Sequence, residues 1–204
     1  MERELVIATN NLKKFREMNA LLQVLEEDGI AIKSLRDFPA YPEPEEDGDD
    51  YITNALAKAR AAVAQTGRVC IADDSGLEVD HLGGKPGVHS KRFAGEDTPW
   101  EVKISKLLEL LEGVPQEQRG ARFNSVVAIS TPWDAEYTLR DTCRGWIYWE
   151  PRGEHGFGYD PVFYLPELGC TMAELPMEQK NRISHRAKTL SAAIPLLKWV
   201  FRVG

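Results

Sequence analysis

Asp73 and Asp74 stand side by side after the apolar run Val69-Cys70-Ile71-Ala72 and before Ser75-Gly76. Two adjacent carboxylates at the end of a strand present charge where the ligands of open α/β sheets collect. Neighbouring strand residues point to opposite faces, so the two acids have different jobs: one to hold a divalent cation, the other to activate water or orient a backbone group. The competing reading is a pair of turn-capping aspartates. A second cluster, Gly156-Phe157-Gly158-Tyr159-Asp160-Pro161, joins two glycines, two aromatic faces, a carboxylate and a proline. That is the composition of a pocket for a flat polar ring, and equally of a turn before a strand. Lys180 and Ser184-His185-Arg186 follow and add several kinds of hydrogen-bonding group. Near the start, Thr9-Asn10-Asn11-Leu12-Lys13-Lys14 leads from a strand into a helix. Hydroxyl, amide and ammonium groups beside the free N–H groups of a helix N-terminus make an anion site, unless Thr9 or Asn10 does no more than cap the helix.

The elements that must position these groups alternate at first. Leu5-Val6-Ile7-Ala8 reads as a buried strand, and Leu12, Phe15, Met18, Leu22 and Leu25 recur at helical spacing. A second helix fits Tyr51 to Gln65, with Ile52, Ala55, Leu56, Ala59 and Val63 on its apolar side and Gly67 as its stop. Thr98 and Glu101 make a capping-box pattern with Pro99 in the first turn, which predicts a helix turning Ile104, Leu107, Leu108 and Leu111 inward before Gly113. Residues 123–130 and 137–149, separated by Pro132-Trp133-Asp134, read as two antiparallel strands, which makes the sheet mixed. A last helix, Ser184 to Phe201, turns Ala187, Leu190, Ile194 and Leu197 inward, with Pro195 kinking it. The glycines of Leu82-Gly83-Gly84-Lys85-Pro86-Gly87 mark a tight loop and match neither a dinucleotide fingerprint nor a P-loop.

Composition bounds the function. The 204 residues, 43% of them hydrophobic, suffice for one large domain or two joined lobes. No apolar run approaches the roughly 20 residues that span a bilayer, and Met1-Glu2-Arg3-Glu4 lacks the apolar stretch of a secretory signal, so a cytoplasmic protein with no membrane partner is expected. Cys70, Cys143 and Cys170 are odd in number and far apart, which predicts reduced thiols rather than disulfides or a thiolate zinc site. His81, His89, His155 and His185 make no close pair, so any metal would be held by oxygen, as suits magnesium or manganese. A formal net charge of -7 argues against nucleic acid as partner but leaves a single nucleotide open. Much of the acidity lies from Glu43 to Asp50, the pattern of a solvated loop or of a cation site.

Taken in order, Thr9-x-Asn11-x-x-Lys14, Asn54-Ala55-x-x-Lys58-Ala59, Ala72-Asp73-Asp74-Ser75-Gly76-Leu77, Gly83-Gly84-x-Pro86-Gly87, Gly156-Phe157-Gly158-Tyr159-Asp160-Pro161 and Lys180-Asn181-x-x-Ser184-His185-Arg186 resemble the inosine triphosphate pyrophosphatases, the Ham1-like family. The match covers nearly the whole chain. It implies an α/β fold: a long central mixed sheet with flanking helices, in a single domain over residues 1–204 whose two lobes surround a nucleotide-binding cleft. It implies a homodimer that hydrolyses the purine nucleoside triphosphates ITP, dITP and XTP to monophosphate and pyrophosphate with Mg2+, removing deaminated purines from the nucleotide pool.

Carried over by position, the resemblance makes Thr9, Asn11 and Lys14 triphosphate ligands, joined by Lys58, with Ser75 also at the substrate. Asp73 and Asp74 become the catalytic acids and cation ligands, Asp74 being the general base that prepares water for attack on the α-phosphorus. Phe157, Gly158 and Tyr159 surround the purine, and Asp160, Lys180, Ser184, His185 and Arg186 read its edge. Hypoxanthine and xanthine offer a keto oxygen at C6, whereas the amino group of adenine leaves buried donors unpaired, at roughly 1–3 kcal/mol per group, about tenfold to a hundredfold in rate. Guanine shares that oxygen, so its rejection comes from elsewhere, such as its 2-amino group against the pocket wall. One position departs from the pattern. Ile52 and Thr53 stand before Asn54 where the family often carries a glutamate associated with the metal. Asp49, Asp50 or Glu46 then compensates, or Asp73 and Asp74 carry the cation alone; the other outcome is a purine-nucleotide-binding protein of the same fold with impaired catalysis.

Overall fold

A computed structural model describes residues 3–40, 44 and 48–203. The strands are β1 (Glu4–Ile7), β2 (Ala31–Ser34), β3 (Val69–Val79), β4 (Gly120–Ser130), β5 (Glu136–Ile147), β6 (Phe163–Leu165) and β7 (Cys170–Thr171). The helices are α1 (Leu12–Leu22), α2 (Tyr51–Thr66), α3 (Trp100–Leu110), α4 (Met177–Ile183) and α5 (His185–Val200), with short 3-10 turns between. The strands form a seven-stranded mixed sheet in the order β2-β1-β3-β4-β5-β6-β7. β1 runs parallel to β2 and β3, with Val6 opposite Lys33 and Cys70, while β6 runs antiparallel to β5 and β7. Parallel partners on both sides explain why Leu5, Val6 and Ile7 are uniformly apolar rather than alternating, and each is fully buried.

The chain divides into two compact units, Met1–Asp74 with Ser125–Asp141 and Arg186–Gly204, and Ser75–Asn124 with Thr142–His185. The first unit buries Leu5 and Ile7 of β1, Met18 and Leu22 of α1, Ile71 of β3, Val127 and Ile129 of β4, and Leu190 and Leu197 of α5 around one core. The second buries Leu77 and Val79, Ile104 and Leu107 of α3, Phe123, Ile147, Tyr159, Phe163 and Met172. No helix of the described residues is long and apolar enough to cross a membrane.

Three expectations about local structure change. The strand does not end at Ala72: β3 continues to Val79 because Leu77 and Val79 are needed by a core, so Asp73 and Asp74 lie in mid-strand. The capping box at Thr98 does not form; the hydroxyl donates to the Ala94 carbonyl at 2.7 Å, and α3 starts after Pro99 without a side-chain cap. Ser184, at φ −65° and ψ 156°, is extended and separates α4 from α5, which then runs through Pro195 to Val200.

Candidate active site

The first unit collects the predicted phosphate and acid residues, beginning at the start of α1. Asn11 takes the N-cap, its Oδ1 accepting from Lys13 N at 3.0 Å and Lys14 N at 3.2 Å, while Thr9 Oγ1 accepts from Asn11 N at 3.2 Å. The cap is therefore Asn11, not Thr9 or Asn10. A fixed helix start sets the direction of Lys14, whose Nζ lies 3.0 Å from Asp73 Oδ2.

Asp73 is the hub of a buried ionic network. Its Oδ2 also accepts from Arg186 Nε at 3.1 Å and Nη2 at 2.9 Å, and its Oδ1 accepts from Ser125 Oγ at 2.8 Å. Arg186 Nη1 donates to Glu17 Oε2 at 2.6 Å, so α1, β3 and α5 are tied through one guanidinium, and β4 joins them through Ser125 on Asp73. Burial opposes the charge of Arg186, but the carboxylates of Asp73 and Glu17 outweigh it and hold its pKa above the ordinary value. For Lys14 burial wins: its pKa is lowered despite Asp73, with Lys58 and Arg186 adding repulsion. A desolvated ammonium repelled by two other cations gains from a phosphate oxygen at its side.

Asp74 has a separate set of partners. Its Oδ1 lies 2.9 Å from Lys58 Nζ and its Oδ2 accepts from Asn54 Nδ2 at 3.3 Å, while Lys58 Nζ also donates to the Asp73 carbonyl at 2.8 Å. Asn54 and Lys58 stand one turn apart on α2, which puts both on one face. Asn54 in turn accepts from Gly48 N at 3.0 Å, fastening Gly48 to the helix. Asp50 caps α2, accepting from Thr53 N at 2.9 Å and Thr53 Oγ1 at 2.7 Å, and these bonds from Thr53 lower its carboxyl pKa. Thr53 thus completes a helix cap with Asp50. Asp49 is exposed. Glu46 lies outside the described residues.

In the second unit, the segment from Gly156 to Pro161 is a braced turn. Asp160 Oδ2 accepts from Phe157 N at 2.8 Å and from Lys180 Nζ at 2.6 Å, and that ammonium sits 4.9 Å from the centre of the Phe157 ring. Gly156 has φ +71°, and a Cβ there would collide with the Asp160 carboxylate. Gly156→Ala should therefore break the brace, lowering stability by about 1–3 kcal/mol, or roughly 2–4 °C of Tm per kcal/mol for a chain of this size. A thermal melt within 1 °C of wild type would contradict that.

Several expected base contacts acquire other work. Tyr159 is 2% exposed, meets Trp100 edge-on at 5.2 Å between centroids, and donates its hydroxyl to the Ser90 carbonyl at 3.2 Å. It is core behind the turn, and burial raises its phenol pKa. Asp160 is 3% exposed and holds the turn and Lys180 in place. His185 stacks on Phe123 with centroids 4.8 Å apart, and buried Ser184 closes α4 through its N–H on the Lys180 carbonyl at 3.0 Å. Arg186 belongs to the first unit, where its guanidinium bonds Asp73 and Glu17. Gly158 carries φ +66° opposite the Trp100 ring, and Ser75 is half-buried in β3. Phe157 and Lys180 remain as the aromatic face and the cation beside it.

The sequence model of the Ham1 family matches residues 5–196. The chain belongs to the Ham1 family. It is 54% identical over 189 residues to the dITP/XTP pyrophosphatase of Geobacillus kaustophilus, covering 93% of this chain and 91% of that protein. With the dITP/XTP pyrophosphatase of Desulforamulus reducens it shares 50% over 198 residues, 97% of each. The solved HAM1 protein of Coxiella burnetii superposes with a TM-score of 0.85 at 40% identity, covering 96% of this chain and 98% of the other. The Ham1 protein of Staphylococcus aureus gives 0.83 at 37%, covering 97% and 99%.

In this Ham1 chain three residues of the two clusters escaped the motif reading. Glu17 left a signal: an acid one turn beyond Lys14 on α1, next to the buried Met18. Ser125 and Phe123 left none, since a serine and a phenylalanine in an apolar strand look like ordinary packing until β4 sets them against Asp73 and His185 respectively.

Proposed function

We propose that this chain hydrolyses the deaminated purine nucleoside triphosphates ITP, dITP and XTP to the monophosphate and pyrophosphate. The observation that carries the reading is the division of labour at Asp73 and Asp74, adjacent acids held by different cations. Asp73 is fixed by Lys14, Arg186 and Ser125 and serves as an anchor. Asp74, met by Lys58 and Asn54, accepts the proton of the attacking water. Lys14 and Lys58 then stabilise the charge that develops on the departing pyrophosphate, a role favoured by the desolvation that lowers the pKa of the half-buried Lys14. Relatives named dITP/XTP pyrophosphatase, similar over more than nine-tenths of both chains, support the substrate class.

Mg2+ belongs to this reading. The described residues contain no group of three His, Cys, Asp or Glu that would enclose a metal. The hard oxygens of Asp74, with Asp73 beside it, suit magnesium, which is held by one or two carboxylates while water and substrate phosphates fill the rest of its shell. When bound, the cation neutralises phosphate charge and polarises the bond to be cleaved. In the second unit Phe157 offers a face to the purine, and Lys180, which Asp160 keeps in place, supplies a donor to the C6 oxygen. The enzyme would work as a homodimer in the cytoplasm, on free nucleotides rather than nucleic acid.

The test is pyrophosphate release with magnesium from inosine, xanthosine, adenosine, guanosine and thymidine triphosphates. The expected result is turnover of the first two at least about tenfold above adenosine triphosphate, the cost of one unpaired buried donor. No release from either would sink the proposal, and tight binding without turnover would turn it into a binding protein.

A further inference from the structure

Two neighbouring cavities in the first unit share no lining residue with the Asp73 and Asp74 clusters. One, of ≈ 470 Å³, is bordered by Arg3, Glu4, Arg68, Trp133 and Arg202 among others; the second, of ≈ 380 Å³, by Trp133, Tyr137, Trp199 and Arg202. Trp133, Val200 and Arg202 line both. Each volume lies within the range of small-ligand pockets, about 300–1,000 Å³.

The chemistry of the walls is specific. Trp133 and Trp199 are 57% and 66% exposed, and Trp199 stands edge-on to Tyr137 at 6.0 Å. Large exposed indoles are costly to leave in water, and they offer flat faces for stacking. Trp133 sits on a fixed turn: Thr131 N donates to the Ala135 carbonyl at 3.0 Å, Ala135 N donates to Thr131 Oγ1 at 2.9 Å, and Asp134 has φ +62°. Three arginines line the larger cavity on a chain whose formal net charge is -7. The acid at its edge, Glu4, is engaged by Arg68 at 2.6 Å and Lys33 at 3.6 Å, and the bond from Arg68 lowers its carboxyl pKa. The charged lining of this cavity is thus three arginines against one acid.

Arg202 adds an independent sign. It ends α5 with its N–H on the Trp199 carbonyl at 3.0 Å, Val203 N reaches the Lys198 carbonyl at 2.9 Å, and Arg202 has φ +55°. That is the left-handed closing position of a helix, where glycine fits without penalty and a long side chain does not. An arginine held there against the backbone preference, lining both cavities, points to a use for its guanidinium.

We propose that this face is a second ligand site, taking a phosphorylated aromatic molecule of mononucleotide size, with its ring on Trp133 and its phosphate on Arg202 and Arg3. Indole faces bind flat rings, and guanidinium forks match phosphate oxygens.

The indole N–H signals of the five tryptophans provide a local readout by NMR, assigned with Trp133→Phe and Trp199→Phe. Adenosine monophosphate should move the Trp133 signal saturably. In Arg202→Gly the affinity should fall at least about tenfold through loss of the charged contact, while Tm holds or rises because glycine adopts the positive φ freely. Undiminished affinity in Arg202→Gly, or no saturable shift in the native protein, would overturn the proposal. So would equal shifts from inorganic phosphate or adenosine alone, or a Trp133 signal that moves with protein concentration alone, which would assign the face to a second copy of the chain.

Discussion

Asp74→Asn is expected to lower kcat for inosine triphosphate by about 10²–10⁴-fold, the usual contribution of a positioned general base. The amide matches the carboxylate in shape but cannot take the proton of water. Lys58, 2.9 Å from Asp74 Oδ1, keeps its own charge and its bond to the Asp73 carbonyl, so the site stays cationic toward phosphate. Nucleotide binding, measured calorimetrically without added magnesium, should stay within a few-fold, while the magnesium requirement should rise as one carboxylate oxygen is lost to the cation. A kcat within about tenfold of wild type would move the role of base to another group.

Arg186→Leu carries the largest expected loss of stability. Arg186 is 2% exposed and bonded to both Asp73 and Glu17, so its removal leaves two buried carboxylates short of their cation. Breaking one side of a buried ion pair costs about 3–5 kcal/mol, which for a chain of this size is roughly 6–20 °C of Tm. Adding Glu17→Leu should recover part of that, because an apolar replacement of both partners is far less costly than an orphaned charge. A single-variant Tm within 2 °C of wild type would mean that Lys14, 3.0 Å from Asp73, and the remaining neighbours suffice.

Much of this could be read from the sequence, and the failures share a cause. Local patterns were legible: α2 was expected from Tyr51 to Gln65 and runs to Thr66, with Gly67 at φ +64° as its left-handed stop, because propensity and cap residues act within a turn. The two-residue β7 and three-residue β6 are too short to show a period in the sequence; β6 is set by pairing with β5 and β7. The length of β3 was misjudged for the reverse reason: charged residues interrupt its apolar pattern, yet Leu77 and Val79 beyond them are fully buried. At the candidate site the residue types were legible and the partners were not. Arg186 adjoins His185 in sequence, which suggested a shared role with it, but its guanidinium bonds to Asp73 and Glu17, 113 and 169 residues away. Tyr159 looked like a stacking face and is a core side chain. Whether an aromatic residue in a glycine-rich turn faces a ligand or a core depends on packing that one-dimensional spacing does not encode.

The central claim is that water, prepared by Asp74, attacks the α-phosphorus and expels pyrophosphate. Hydrolysis of inosine triphosphate in ¹⁸O-water, with mass analysis of both products, tests it most directly. The account predicts one ¹⁸O in the monophosphate and none in the pyrophosphate; label in pyrophosphate, or release of orthophosphate in its place, would contradict it.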